Sequence, residues 1–237
     1  MGIAHEHIVK RYDEELARLT EEIVRMGEMA ASQLTGAMDV LDRRDSRAAE
    51  RIVGNDIEID RLELDVSHDV VRLLALRQPM ARDLREILAA LRIASDIERI
   101  GDYASNAAKR SMALNEFPVV AQARGLAAIA QLATSMLRDV LAAYRTRDAV
   151  AAIAVRARDA ELDAQYTSLF RELLTYMAED PRSISPSIHL LFIAKNIERI
   201  GDHATNIAEY THFIVHGELP TEAREKRDLT SAMGRAG

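Results

Sequence analysis

The chain has 237 residues, with 31 Lys and Arg against 38 Asp and Glu, a formal charge of −7, and neither Cys nor Trp. That length holds one large domain or two of about 100–150 residues, and the missing cysteines exclude disulfides, thiolate metal sites and cysteine nucleophiles together. The acidic balance argues against general nucleic-acid binding, which needs clustered Lys and Arg, and no polybasic run offers an anchor for anionic lipid.

Strand formers are sparse, whereas Ala, Leu, Arg and Glu abound, which favours helix. Pro79, Pro118, Pro181, Pro186 and Pro220 fall between periodic segments, where proline is tolerated. Cutting there and at two polar breaks predicts six long helices. The first runs over 6–42. Charges throughout Met1–Thr20 leave no apolar core for a signal peptide. After the Asp42–Arg47 break the second helix runs over 46–77, and the third over 79–114. The fourth, over 118–144, contains the longest uncharged stretch, Gly125–Leu137, which falls short of the roughly 18 apolar residues a membrane span requires. The fifth follows the Tyr144–Asp148 break and covers 147–179. The sixth covers 186–216, with Ser185 as N-cap, Pro186 at the first helical position and Gly217 as the stop. Residues 218–237 carry few apolar side chains and are expected to form a mobile tail. The expected location is the cytoplasm.

The chain repeats itself. Residues 98–106 read Glu-Arg-Ile-Gly-Asp-Tyr-Ala-Ser-Asn, and residues 198–206 read Glu-Arg-Ile-Gly-Asp-His-Ala-Thr-Asn. Leu91, Ile93, Ala94 and Ile97 match Leu191, Ile193, Ala194 and Ile197, and Asp39-Val40-Leu41 matches Asp139-Val140-Leu141. Asp56-Ile-Glu58-Ile-Asp60 returns as Asp159-Ala-Glu161-Leu-Asp163 after a small insertion. The order of features is the same in both halves. The expected fold is therefore all-α, as two tandem three-helix bundles over 1–114 and 115–217.

Glu98, Asp102 and Asn106 lie at i, i+4 and i+8, along one stripe of a helix, and Glu198, Asp202 and Asn206 repeat the pattern. Ile93, Ile97, Ile100 and Ala104, with Ile193, Ile197, Ile200 and Ala204, occupy the opposite side and are the expected core. The carboxylates then face a groove or the outer surface. Hairpin geometry between the second and third helices brings Asp60 level with Glu98 and Asp56 level with Gly101–Asp102. In the second half it brings Asp163 level with Asp202 and Asp159 with Thr205–Asn206. Like charges at one level repel unless cations neutralise them. All-oxygen sites suit hard or borderline cations such as Mg²⁺, Mn²⁺, Ca²⁺ or Fe. The competing interpretation is a solvated acidic face with weak ion pairs to Arg99 and Arg199. Gly101 and Gly201 weaken a helix interior and point to close approach of another helix. The first cluster has Asp96 and Ser95 where the second has Asn196 and Lys195, an extra acid against an added cation. His203, in place of Tyr103, reads as a surface histidine, and His68, His189, His212 and His216 receive no role. Glu209-Tyr-Thr-His212 matches one Glu-x-x-His of a di-iron bundle, but such sites need two copies. No dinucleotide fingerprint, Walker loop, nucleophile elbow or His-Glu-x-x-His occurs.

The duplicated Glu-Arg-Ile-Gly-Asp-x-Ala-x-Asn, the segment Pro79-Met-Ala-Arg-Asp-Leu-Arg-Glu-Ile87, and Tyr12-x-x-x-Leu16 with Met26-Gly27 together resemble the PhoU family over about residues 5–216. The resemblance implies a non-enzymatic regulator of phosphate uptake that restrains the phosphate-starvation response. It implies partners in the Pst transporter's ATPase subunit (PstB-like) and a PhoR-type sensor kinase, a homodimer, and no direct membrane or nucleic-acid contact. It also implies metal clusters at Asp56, Asp60, Glu98 and Asp102 and at Asp159, Asp163, Glu198 and Asp202, with Asn106 and Asn206 as further motif members. The alternative function is a carboxylate-bridged metal-binding enzyme of oxidase type, and beyond it lies a plain structural helical dimer.

Overall fold

The computed structural model describes residues 2–77 and 79–221, with side chains from Tyr12 to Leu76 and from Pro79 onward. Most of the expected tail lies outside the described residues. Among them the chain is all-α. The first half holds α1 (Gly2–Arg43), α2 (Ser46–Arg77) and α3 (Ala81–Leu114). The second half holds α4 (Arg124–Thr146), α5 (Ala149–Ala157), α6 (Asp159–Glu179) and α7 (Ile184–His216), with short 3-10 turns before α4 and α7.

The fifth expected helix is divided at Arg158, so α5 and α6 together play the part that α2 plays in the first half. At the break the Arg158 N–H bonds back to Val155 O at 3.0 Å, a tightened turn. The Arg158 guanidinium reaches α4, donating to Asp139 Oδ2 at 2.6 Å and Ser135 Oγ at 3.1 Å. No glycine or proline marks this break. The sixth helix also starts earlier than expected. Asp180, not Ser185, caps the preceding turn by accepting from Arg182 N, and Pro186 sits in the first turn of α7, where no intrahelical N–H bond is needed. Gly217 ends α7 as expected, at φ 85°, with its N–H on Phe213 O at 2.9 Å.

The two halves share one joint. Arg44 ends α1 at φ 56° and Arg147 ends α4 at φ 55°, both in the left-handed region that L-residues enter at a cost of about 1–2 kcal/mol. In each, the following aspartate closes the helix through its backbone: Asp45 N to Val40 O at 3.1 Å and Asp148 N to Ala143 O at 2.9 Å. Each aspartate then caps the next helix with its side chain, Asp45 for Ala48 N and Asp148 for Ala151 N, both at 2.9 Å. The two arginines are then anchored at opposite ends of α3. Arg44 donates to the carbonyls of Asn115 and Phe117 at 2.8 and 2.7 Å, whereas Arg147 pairs with Glu86.

Each half packs its helices around α3 or α7, and those two helices pack on each other along their length. One core runs through both halves, with Ile23, Met26 and Leu34 of α1, Ile93, Ile97 and Ile100 of α3, Leu126 and Leu137 of α4, and Ile193, Ile197 and Ile200 of α7 all fully buried. Fully burying a side chain of this size contributes about 1.5–3 kcal/mol. Residues 121–146 alone among the described residues are long and apolar enough to cross a membrane, and over half of that window is buried against the other helices, as in a core helix.

Candidate functional site

α3 and α7 run antiparallel. Asp96 meets Asn206, Tyr103 meets Arg199, and Arg110 lies 3.9 Å over the ring of Phe192. As numbers rise on one helix they fall on the other. Tyr103 and His203, equivalent in the repeat, meet with ring centroids 5.6 Å apart. A pseudo-twofold axis therefore passes between them, and the two duplicated motifs lie at the same level of the molecule.

The first carboxylate cluster is built by α2 lying close on α3. A Cβ at Gly101 would sit 3.0 Å from Ile59 Cδ1 and 3.1 Å from Asp56 Oδ1, so the glycine accommodates the crossing. Gln33 of α1 donates to Asp56 Oδ1 at 2.9 Å. Asp60 is exposed, and Glu98 and Asp102 are partly buried. Partial loss of water where α2 crosses α3, and then the charges of Asp56, Asp102 and Glu63, push the Asp60 carboxyl up from its ordinary pKa. Burial and Asp102 push Glu98 up in the same way, with Asp60 and Glu63 adding to it and Arg99 opposing. Arg99 is a loose partner, 3.5 Å from both Glu98 and Asp102 and largely exposed. Glu63 is a member the repeat could not reveal, because its counterpart in the second half is Tyr166. The available signal was its i+3 spacing from Asp60. Asn106 is exposed.

The second cluster repeats the crossing. A Cβ at Gly201 would strike Leu162 Cδ2 at 2.1 Å and lie 3.8 Å from Asp159 Oδ1. Thr205 Oγ1 is 3.4 Å from the same Asp159 oxygen. The setting differs from the outward-facing arrangement expected for both copies. Asp159, Asp163 and Glu198 are 1, 2 and 4% exposed, and only Asp202 remains partly open. Lys195 meets the buried Glu198 carboxylate at 2.9 Å and lies 5.0 Å from the centre of the Tyr166 ring. The cation expected from Lys195 is thus inside the cluster.

Asp96 and Asn206 do something other than expected. Asp96 does not add an acid to the first cluster. It is buried at the α3–α7 contact, where its Oδ1 accepts from Asn206 Nδ2 at 3.1 Å and pairs with His203 Nδ1 at 2.6 Å. Asn206 therefore spends its amide on the contact between the halves. His203 is not a surface histidine either, with its side chain 20% exposed and packed on Tyr103. Arg199 reaches the hydroxyl of Tyr103 at 3.2 Å.

The geometry thus gathers Asp56, Asp60, Glu63, Glu98 and Asp102 around one half of the junction, and Asp159, Asp163, Glu198 and Asp202 around the other. Among the described residues no three such side chains close on a common point at metal-ligand geometry. The donor chemistry of the first group nevertheless fits a hard divalent cation: oxygen only, mutually repelling, and open to solvent. The second group already holds an ammonium.

Two stretches of the chain, residues 23–111 and 126–211, match the model of the PhoU domain. A phosphate-specific transport system accessory protein PhoU homolog of Xylella fastidiosa is 62% identical over 225 residues, covering 95% of each chain. A protein of the same description from Caulobacter vibrioides is 49% identical over 227 residues, covering 95% of this chain and 99% of the relative. The crystal structure of PhoU from Pseudomonas aeruginosa superposes with a TM-score of 0.84 at 35% identity, over 87% of this chain and all of that one. The phosphate transport system regulatory protein PhoU from Streptococcus pneumoniae also gives 0.84, at 29% identity and over 89% of this chain.

Proposed function

The chain belongs to the PhoU family, and from that premise we propose that it is a cytoplasmic accessory protein of a phosphate-specific transport system that restrains the phosphate-starvation response. It acts by docking, with a PstB-like transporter ATPase on one side and a PhoR-type sensor kinase on the other, and it performs no chemistry of its own. The near-full-length identity to phosphate-transport accessory proteins carries this reading. The absence from the sequence of a dinucleotide fingerprint, a Walker loop and a nucleophile elbow supports it. Co-purification from cell extract tests it: the chain should retain the transporter ATPase, and failure to retain either the ATPase or the kinase contradicts the docking role.

The metal reading attaches to the first cluster. Asp56, Asp60, Glu98 and Asp102, with Glu63, would hold a hard divalent cation such as Mn²⁺ or Mg²⁺, or iron. The cation would neutralise charges that now raise one another's proton affinity. Asp159, Asp163, Glu198 and Asp202 would bind more weakly, because Lys195 supplies a positive charge in place and Tyr166 stands where the first half has Glu63. The cation's part is structural and electrostatic, stiffening the α2–α3 crossing. The family's homodimer is likewise carried to this chain as a proposal.

A further inference from the structure

Near the C-terminal end of α7, His212 and His216 lie one turn apart on the same face, with ring centroids 4.4 Å apart. His212 Nδ1 is 3.0 Å from the backbone carbonyl of Glu218. A carbonyl can only accept, so Nδ1 must carry the proton, and Nε2 is left with its lone pair in the neutral ring. A metal-ligating histidine is oriented in this way, its second nitrogen donating to a carbonyl or carboxylate. We propose that His212 and His216 form a two-imidazole chelate for a borderline divalent cation of the Zn²⁺ or Ni²⁺ type.

Several features support the pair as a site. Histidines at i and i+4 on one helical face are a metal-binding spacing in their own right. With metal–nitrogen bonds of about 2.0–2.1 Å, two imidazoles on one ion place their ring centres about 4.5–5 Å apart, and the observed 4.4 Å is close to that spacing. The helix terminus favours a cation through its unpaired carbonyls. The Glu218 backbone is already drawn onto His212 by the turn at Gly217. A like charge, Arg85 of α3, stands by the turn, with its Cζ 3.4 Å from where a Cβ at Gly217 would lie. Remaining coordination positions belong to water, as at any open site. Ten residues of helix separate His212 from Asp202, about 15 Å, so an ion held by this pair lies out of reach of Asp202. The ligand type separates them as well: imidazole selects borderline cations, and carboxylate selects hard ones.

Titration calorimetry with Zn²⁺ on untagged full-length protein tests the proposal, comparing wild type with His212→Ala, His216→Ala and the Glu98→Gln/Asp102→Asn pair. The expected result is Zn²⁺ binding that weakens about a hundredfold when either histidine is removed, survives the carboxylate changes and is not displaced by excess Mg²⁺. A His5→Ala/His7→Ala variant should bind as wild type. Zn²⁺ should also raise the Tm of wild type but not of His212→Ala. Binding in the His212→Ala/His216→Ala double variant equal to wild type overturns the proposal. Loss of binding in the carboxylate variant alone overturns it too, and assigns Zn²⁺ to the first cluster.

Discussion

Tyr103 and His203, equivalent residues of the two repeats, stack on each other across the middle of the antiparallel α3–α7 pair, with ring centroids 5.6 Å apart. That contact places the duplicated carboxylate motifs at one level. It also lets one half complete polar contacts of the other, with Asp96 of α3 holding His203 and Asn206 of α7. The repeat is therefore a paired structure, and its two members have diverged at Glu63/Tyr166 and Ser95/Lys195.

Close helix crossing makes two glycines respond oppositely to an added methyl group. A Cβ on Gly27 would fall 2.5 and 2.6 Å from the two methyls of the buried Leu141 and 3.1 Å from its Cγ, where α1 packs on α4. A Cβ on Gly54 meets nothing within 4 Å. Gly27→Ala should destabilise by about 1–3 kcal/mol through overpacking, whereas Gly54→Ala should stabilise by up to about 1 kcal/mol through helix propensity. Thermal unfolding of the two variants checks this, and equal shifts of the same sign would refute it.

A second prediction follows from the raised pKa values of Glu98 and Asp60. The folded state binds their protons more tightly than the unfolded chain does. Their ionised forms therefore weaken the fold above the folded pKa values, and the penalty disappears below the ordinary carboxylate range. Glu98→Gln should raise the Tm at neutral pH in chelator-treated protein, and the advantage should fade toward about pH 4. A Tm gain that is constant across this range would show that repulsion is not its source.

The interior ammonium gives a third. Removing Lys195 takes away the ammonium 2.9 Å from the buried Glu198 carboxylate. Lys195→Met should destabilise metal-free protein by about 1–3 kcal/mol, and added Mn²⁺ should recover part of the loss and raise metal content measured by elemental analysis. Glu98→Gln with Asp102→Asn should instead remove most of the bound metal. Identical metal content in all these proteins would contradict the unequal roles of the clusters.

Much of this arrangement is legible in the sequence. The i, i+4 carboxylates, the crossing glycines and the buried Ile93, Ile97 and Ile100 follow from helical periodicity and the repeat. What the sequence hid depends on neighbours distant in the chain. Asp96 reads as a neighbour of Glu98, yet it turns to the other side of α3, and its partners lie over a hundred residues away on α7. Burial of the second cluster depends on how α6 seats on α7, which periodicity does not specify. The break at Arg158 has no glycine or proline to announce it and rests on its bonds to Asp139 and Ser135. Glu63 escaped because matching repeats highlights what two copies share, and Glu63 is a residue on which they differ.

Control of the phosphate response is read out by expression of phosphate-regulated genes in phosphate-replete cells from which this chain has been deleted. Expression should rise to the level of starved cells, and the wild-type chain should restore repression. Expression that stays low in the deletion strain would contradict it.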